Sequence, residues 1–157
     1  MGVLKELAKR PIEEVEGRPP IRVRPATTLL EVVKALKGGN RGAVIVVDDD
    51  GRISGVFTER DVMLRLDHSN LDWHTIPVGE VMTRNPKTIA ADAPIAEALR
   101  LMTEGAFRHL PVVDDDGRAI SVASIRAIMA HLVEHFPEEF VNLPPDPDHE
   151  ASRPYGG

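Results

Sequence analysis

The sequence predicts an α/β fold in which a β-α-β-β-α unit is built twice and the two copies pack on each other. Three observations predict it. Asp48-Asp49-Asp50-Gly51-Arg52 returns as Asp114-Asp115-Asp116-Gly117-Arg118, an offset of 66 residues. The same offset, with no gap between Arg22 and Leu66, sets Glu31 on Glu97, Gly39 on Gly105, Val47 on Val113, Arg60 on Arg126 and Met63 on Met129. Each copy also alternates short β-rich runs with apolar residues at helical spacing. A unit of about 60 residues buries only about 60% of its unfolded surface and is marginal alone. Two copies of one supersecondary unit are therefore expected to bury a shared face.

The elements follow in order. Residues 1–10 form a candidate lead-in helix, similar to the Val78-to-Met82 segment before the second copy. Ile21-Arg22-Val23 is a short extended run. Thr27 or Thr28 caps a helix over 29–37, with Leu29, Val32, Val33 and Leu36 on one face and Gly38-Gly39 ending it. The continuous β-rich run 43–47 predicts a strand buried on both faces. Asp50-Gly51 is a hairpin signal, leading to a strand over 53–57 and a helix over 59–66. A polar connector over 67–77 carries His68, Trp73 and His74. In the second copy Thr88-Ile89 opens the unit, and Pro94 lies in the first turn of a helix. Strands over 110–113 and 119–123 flank the Asp116-Gly117 turn, and a last helix starts at Ser124.

Composition narrows the function. The chain has 157 residues, a formal charge of −6 and no cysteine. No Lys/Arg run exceeds two residues, whereas polyanion binding needs clustered cations, so no nucleic-acid partner is expected. The lack of cysteine removes disulfides, zinc-thiolate sites and thiol catalysis, and fits a reducing compartment. No apolar run approaches a membrane span, and residues 1–11 lack a signal-peptide pattern. A cytoplasmic protein with no membrane partner is expected. No nucleophile, base and oxyanion donor come together, and no serine has a Gly-x-Ser-x-Gly context, so no enzyme activity is expected.

One corner carries chemistry: Gly55-Val56-Phe57-Thr58-Glu59-Arg60-Asp61. Thr58 and Asp61 have the spacing of a capping box at a helix start, which by itself accounts for both. The same helix start also suits an anion, and a first-turn carboxylate can accept two hydrogen bonds from a ribose diol. Gly55 permits close approach to the backbone. The two readings are compatible. The second copy departs from the first. Its corner, Ser121-Val122-Ala123-Ser124-Ile125-Arg126-Ala127, keeps a capping serine but replaces the glycine and the carboxylate.

The tandem units resemble a pair of CBS domains, a Bateman module. The resemblance rests on Gly-x-x-Thr-x-x-Asp at the corner, Val81-Met82-Thr83, and Arg108-His109-Leu110-Pro111-Val112-Val113-Asp114, and covers about residues 3–136. It implies two sheets face to face about a pseudo-twofold axis, with the first repeat over 1–77 and the second over 78–142. The tail over 143–157, rich in proline and poor in apolar residues, is expected to be disordered on composition. The resemblance implies no catalytic cofactor but an adenosine-containing ligand (AMP, ATP or S-adenosylmethionine) in a cleft between the repeats. Thr58 and Asp61 would hold the ribose and phosphate end, with Gly55 at the same corner. Arg108 and His109 would meet phosphates, and Val44, Ile45, Val56, Thr88 and Ile89 would line the base. A stand-alone regulatory homodimer acting on an unknown protein is implied, with one competent cleft and one degenerate. The alternative is a ligand-independent scaffold whose clefts have decayed, for which Ala127 is the best argument.

Other signals are set aside. His131-Leu132-Val133-Glu134-His135 matches a zinc-peptidase pattern, but Pro137 follows almost at once and histidines in a last helical turn already suit the helix dipole. The Asp triplets lack the ligand series of a calcium loop and read as turns. Trp73 reads as a packing anchor. Phe136 and Phe140 could form a terminal apolar stripe.

Overall fold

The 66-residue period governs the whole architecture of the computed structural model, which describes residues 2–15, 19–66 and 72–135. His68, Phe136, Phe140 and the proline-rich segment 143–157 lie outside the described residues. Helix α1 (Gly2–Ala8) comes first, followed by a 3-10 turn at Ile12–Glu14. The first repeat runs β1 (Arg22–Val23), α2 (Leu29–Gly39), β2 (Ala43–Val47), β3 (Ile53–Thr58) and α3 (Glu59–Leu66). A 3-10 turn at Val78–Glu80 and β4 (Thr83–Arg84) lead to the second: β5 (Ile89–Ala90), α4 (Ile95–Gly105), β6 (His109–Val113), β7 (Ala119–Ser124) and α5 (Ile125–His135). The strands form two sheets, ordered β1-β2-β3-β4 and β5-β6-β7. In each, the first pairing is parallel and the hairpin pairing antiparallel.

The turns repeat atom for atom. Asp48 Oδ1 accepts from the N–H groups of Asp50 and Arg52, both at 2.9 Å, and Asp114 Oδ1 does the same for Asp116 and Arg118. Gly51 and Gly117 both sit at φ 81°, a conformation glycine adopts without steric cost. This is turn chemistry. Helix α2 starts with a capping box between Thr28 and Glu31 and runs through Gly38-Gly39 to a left-handed cap at Asn40, φ 50°. Asparagine tolerates that conformation, so the helix passes the two glycines expected to end it. Pro94 stands just before α4 as its N-cap rather than inside the first turn.

Strand alternation decides the layering. On β2, Val44 and Val46 face α2 and join Leu29, Val32, Leu36 and Phe57 in the first core. Ala43, Ile45 and Val47 point the other way, where with Val56 they pack on Ala119 and Val122 of the second sheet. The two sheets therefore meet face to face. Arg22 Nη2 donates to the Ala119 carbonyl at 2.5 Å and Arg118 Nε to the Asp50 carbonyl at 3.1 Å, tying the two repeats together.

The repeats also exchange their lead-ins. The counterpart of the Val78 turn is the Ile12 turn, not α1. Ile12 and Val15 complete the second repeat's core with Ile89, Ile95, Met102, Leu110, Val112 and Ile128. Val78 and Val81 complete the first. The backbone confirms the exchange: Ile12 N–H donates to Ala93 and Glu13 N–H to Ala91, while Val78 N–H donates to Thr27 and Gly79 N–H to Pro25. Trp73 packs half-buried on the first core, as an anchor.

His131 lies inside this structure, only 5% exposed, with Nε2 lacking a hydrogen bond among the described residues. The His135 ring lies 4.0 Å away, centroid to centroid. Among the described residues no cluster of metal-ligating side chains forms around them. Burial pushes the His131 pKa down and His135 adds to this, with Glu14 and Glu134 opposing. The folded state thus disfavours the charged ring, while the unfolded chain takes up a proton near pH 6.5. As pH falls below about 6.5 the unfolded state binds more protons, so stability drops until the lowered folded pKa is passed. Urea midpoints at pH 7.5 and 5.5 should differ more in the wild type than in His131→Leu. An unchanged acid slope in the variant contradicts this assignment.

Candidate functional site

The β3–α3 corner opens onto a cleft of about 800 Å³ between the repeats, within the range of small-molecule sites, roughly 300–1,000 Å³. Its first wall is the corner: Val56, Thr58, Glu59, Arg60 and Asp61, with Met63 and Leu64 of α3. Opposite lie Phe107, Arg108, His109 and Pro111, from the end of the α4–β6 connection and the start of β6. The segment after β4, including Asn85, Pro86 and Lys87, closes one side.

Thr58 and Asp61 form a reciprocal cap. Thr58 Oγ1 accepts from the Asp61 N–H at 3.2 Å, and Asp61 Oδ2 accepts from the Thr58 N–H at 2.9 Å and the Thr58 hydroxyl at 3.0 Å. All of these bonds use Oδ2. Oδ1 has no hydrogen bond among the described residues, so one carboxylate oxygen stays available in the cleft. Capping and ligand contact are therefore both open to the same residue. At the equivalent corner Ser124 Oγ accepts from the Ala127 N–H at 3.0 Å, which keeps half of the box and leaves no carboxylate.

The facing wall exists because β6 differs from β2 on its inner side. His109 and Pro111 stand where β2 carries Ala43 and Ile45. A Cβ on Gly42 would sit 2.5 Å from His109 Nε2, so the imidazole rests on bare backbone of the first repeat. Burial pushes the His109 pKa down, with Glu59 opposing and Arg108 reinforcing the effect. The ring is thus neutral near pH 7 and can donate one N–H to an anion. Lys87 and Arg108 are exposed, and neither side chain forms a hydrogen bond or ion pair among the described residues. Arg60 reaches the Ala106 carbonyl at 3.5 Å.

Five of the expected residues thus line one cleft: Val56, Thr58, Asp61, Arg108 and His109. The other five lie elsewhere. Val44 is enclosed in the first core and Ile45 between the sheets, both fully buried. Ile89 belongs to the second core beside Ile12, and neighbouring Thr88 is exposed outside the cleft. Gly55 serves packing: a Cβ there would lie 2.5 Å from Met82 Sδ and 2.7 Å from the Thr83 carbonyl. Its bareness admits β4, which pairs with β3 at Gly55 and Val56. Sequence reasoning missed Lys87, Asn85 and Phe107. Only Phe107 had a signal, its place directly before Arg108-His109.

Comparison with protein-family models finds the CBS domain twice, at residues 12–68 and 78–134. The chain belongs to the CBS domain family. The paired matches share the 66-residue offset and include the exchanged lead-ins. This CBS pair is 32% identical over 112 residues to an uncharacterised 17.7 kDa protein of Acidianus ambivalens, covering 71% of this chain and 66% of that one. It is 36% identical over 105 residues to a CBS domain-containing protein of Arabidopsis thaliana, spanning 67% of this chain but 19% of the plant protein. Among solved structures, a CBS domain protein from Pyrobaculum aerophilum complexed with AMP matches with a TM-score of 0.71 and 27% identity, over 79% of this chain and 96% of that one. Among the described residues of the CBS pair, no helix is long and apolar enough to cross a membrane.

Proposed function

We propose that this CBS pair is a regulatory module that binds an adenosine-containing nucleotide in the cleft at Thr58 and Asp61. The observation that carries the reading is the free Asp61 oxygen at a capped helix start, facing Arg108 and His109 across a cleft of nucleotide size. The AMP complex of the Pyrobaculum aerophilum relative supports it. Asp61 accepts from the ribose diol, Thr58 and the helix start meet the proximal phosphate, and His109 and Arg108 reach the phosphate from the second repeat. The ligand touches both repeats, so it favours whichever arrangement of the two it binds better. A partner protein reads that arrangement. A thermal-shift panel of AMP, ADP, ATP, S-adenosylmethionine and NAD tests the reading. A ligand at 100 times its Kd stabilises by about 2.7 kcal/mol, several degrees at roughly 2–4 °C per kcal/mol. No shift at millimolar ligand favours a ligand-independent scaffold.

Self-association is part of the same proposal. Large exposed apolar side chains concentrate on α3 (Met63, Leu64) and α5 (Ile125, Met129, Val133), the equivalent helices of the two repeats. Met63 and Met129 are equivalent under the offset, and 69% and 47% exposed. On α5 the apolar residues recur every four positions, making one stripe. A second copy related by a twofold axis offers the same helices in return, as a self-complementary interface needs. Sedimentation should give a dimer that Met129→Asp dissociates. A wild-type monomer at tens of micromolar contradicts this.

A further inference from the structure

The residues of this cleft differ in charge from their counterparts under the 66-residue offset. Under the 66-residue offset Lys87 corresponds to Ile21, Arg108 to Gly42, His109 to Ala43 and Asp61 to Ala127. Each of these exchanges puts the charged or titratable group in the described cleft. The cleft therefore gathers Arg60, Lys87 and Arg108 against Glu59 and Asp61, in a chain whose formal charge is −6. Two of the three cations have no hydrogen bond or ion pair among the described residues. Such cations attract an anionic ligand and repel a cationic one, and a repulsive element discriminates as effectively as an attractive one. The adenosine ligands considered above differ in this respect. AMP and ATP carry phosphate anions beyond the ribose. S-adenosylmethionine carries a sulfonium cation at the same position, and 5′-methylthioadenosine is neutral there.

We propose that the cleft selects its ligand by charge, with Lys87 as the discriminating residue that, together with Arg108 on another wall, favours adenosine phosphates and rejects S-adenosylmethionine. The inference rests on the nucleotide reading above. Lys87 lies between β4 and β5, outside the strands and helices, so its exposed side chain lines the cleft without shaping the core. Being exposed, it can be neutralised with little effect on folding.

The test is calorimetry on the full chain with AMP, ATP, 5′-methylthioadenosine and S-adenosylmethionine, in the wild type and Lys87→Gln. In the wild type AMP should bind at least about tenfold more tightly than 5′-methylthioadenosine, with S-adenosylmethionine weakest. A charge-assisted hydrogen bond corresponds to about ten- to a hundredfold in affinity. Lys87→Gln should therefore weaken AMP about tenfold, weaken ATP by more, and leave 5′-methylthioadenosine unchanged; Lys87→Arg should retain the preference. Wild-type binding of 5′-methylthioadenosine or S-adenosylmethionine as tight as that of AMP overturns the charge selection while leaving the adenosine reading intact. So does an equal loss for charged and neutral ligands in Lys87→Gln. Binding of none of the four overturns both.

Discussion

Ile12→Ala is expected to destabilise the protein by about 2–5 kcal/mol, the cost of truncating a buried isoleucine and leaving its cavity. Against a total of about 5–15 kcal/mol for a typical domain, that is a large share. Ile12 is 1% exposed, and its backbone N–H donates to the Ala93 carbonyl at 2.7 Å. The side chain sits among Ile89, Ile95, Leu110 and Val112 of the second repeat, although it precedes the first in sequence. The loss should therefore appear as reduced hydrogen-exchange protection in β6 and α4. Ile12→Val, which keeps most of the volume, should cost about 0.5–1.5 kcal/mol. Urea unfolding measures both. A loss below about 1 kcal/mol for Ile12→Ala contradicts the exchange of lead-ins as a stabilising feature.

Asp61→Ala is expected to weaken nucleotide binding about ten- to a hundredfold, since a hydrogen bond to a charged group contributes about 1.5–3 kcal/mol. It should also lower stability by about 0.5–2 kcal/mol, because Asp61 receives both the Thr58 N–H and the Thr58 hydroxyl and closes a helix cap. Asp61→Asn separates the two roles. An amide oxygen still accepts from the Thr58 N–H, so most of the stability remains. The charge and one diol acceptor are lost, so binding still falls. Calorimetry and urea unfolding on both variants give the comparison. Wild-type affinity in Asp61→Ala removes Asp61 from the site.

Much of the fold was legible because its causes are local. The Asp-Gly turns, the β-rich run 43–47 and the helical spacing from Leu29 to Leu36 specify elements by short-range chemistry, and the offset carries them to the second copy. The lead-in exchange was not legible, since nothing in Ile12-Glu13-Glu14 says which repeat's core it completes. For the cleft, the corner and the Arg108-His109 pair could be read because both stand in recognisable motifs. The apolar lining could not. Val44 and Ile45 point to opposite faces of β2, and both faces are occupied, one by helices and one by the other sheet. Gly55 was legible as a close-approach position, but β4 rather than a ligand is what approaches. Lys87 carries no motif and enters only because β4 pairs with β3 and aims the following segment at the cleft.

The repeat thus supports an asymmetric site on a symmetric frame. The Asp-Gly turns and the β-α-β-β-α order are kept twice, while Asp61, Lys87 and Arg108 have the uncharged counterparts Ala127, Ile21 and Gly42. The stoichiometry of AMP or ATP binding, measured by calorimetry on the wild type and Asp61→Ala, tests this most directly. One site per chain, abolished or weakened at least about tenfold in Asp61→Ala, is the expected result. Two sites of equal affinity per chain, or one site indifferent to Asp61, contradicts it.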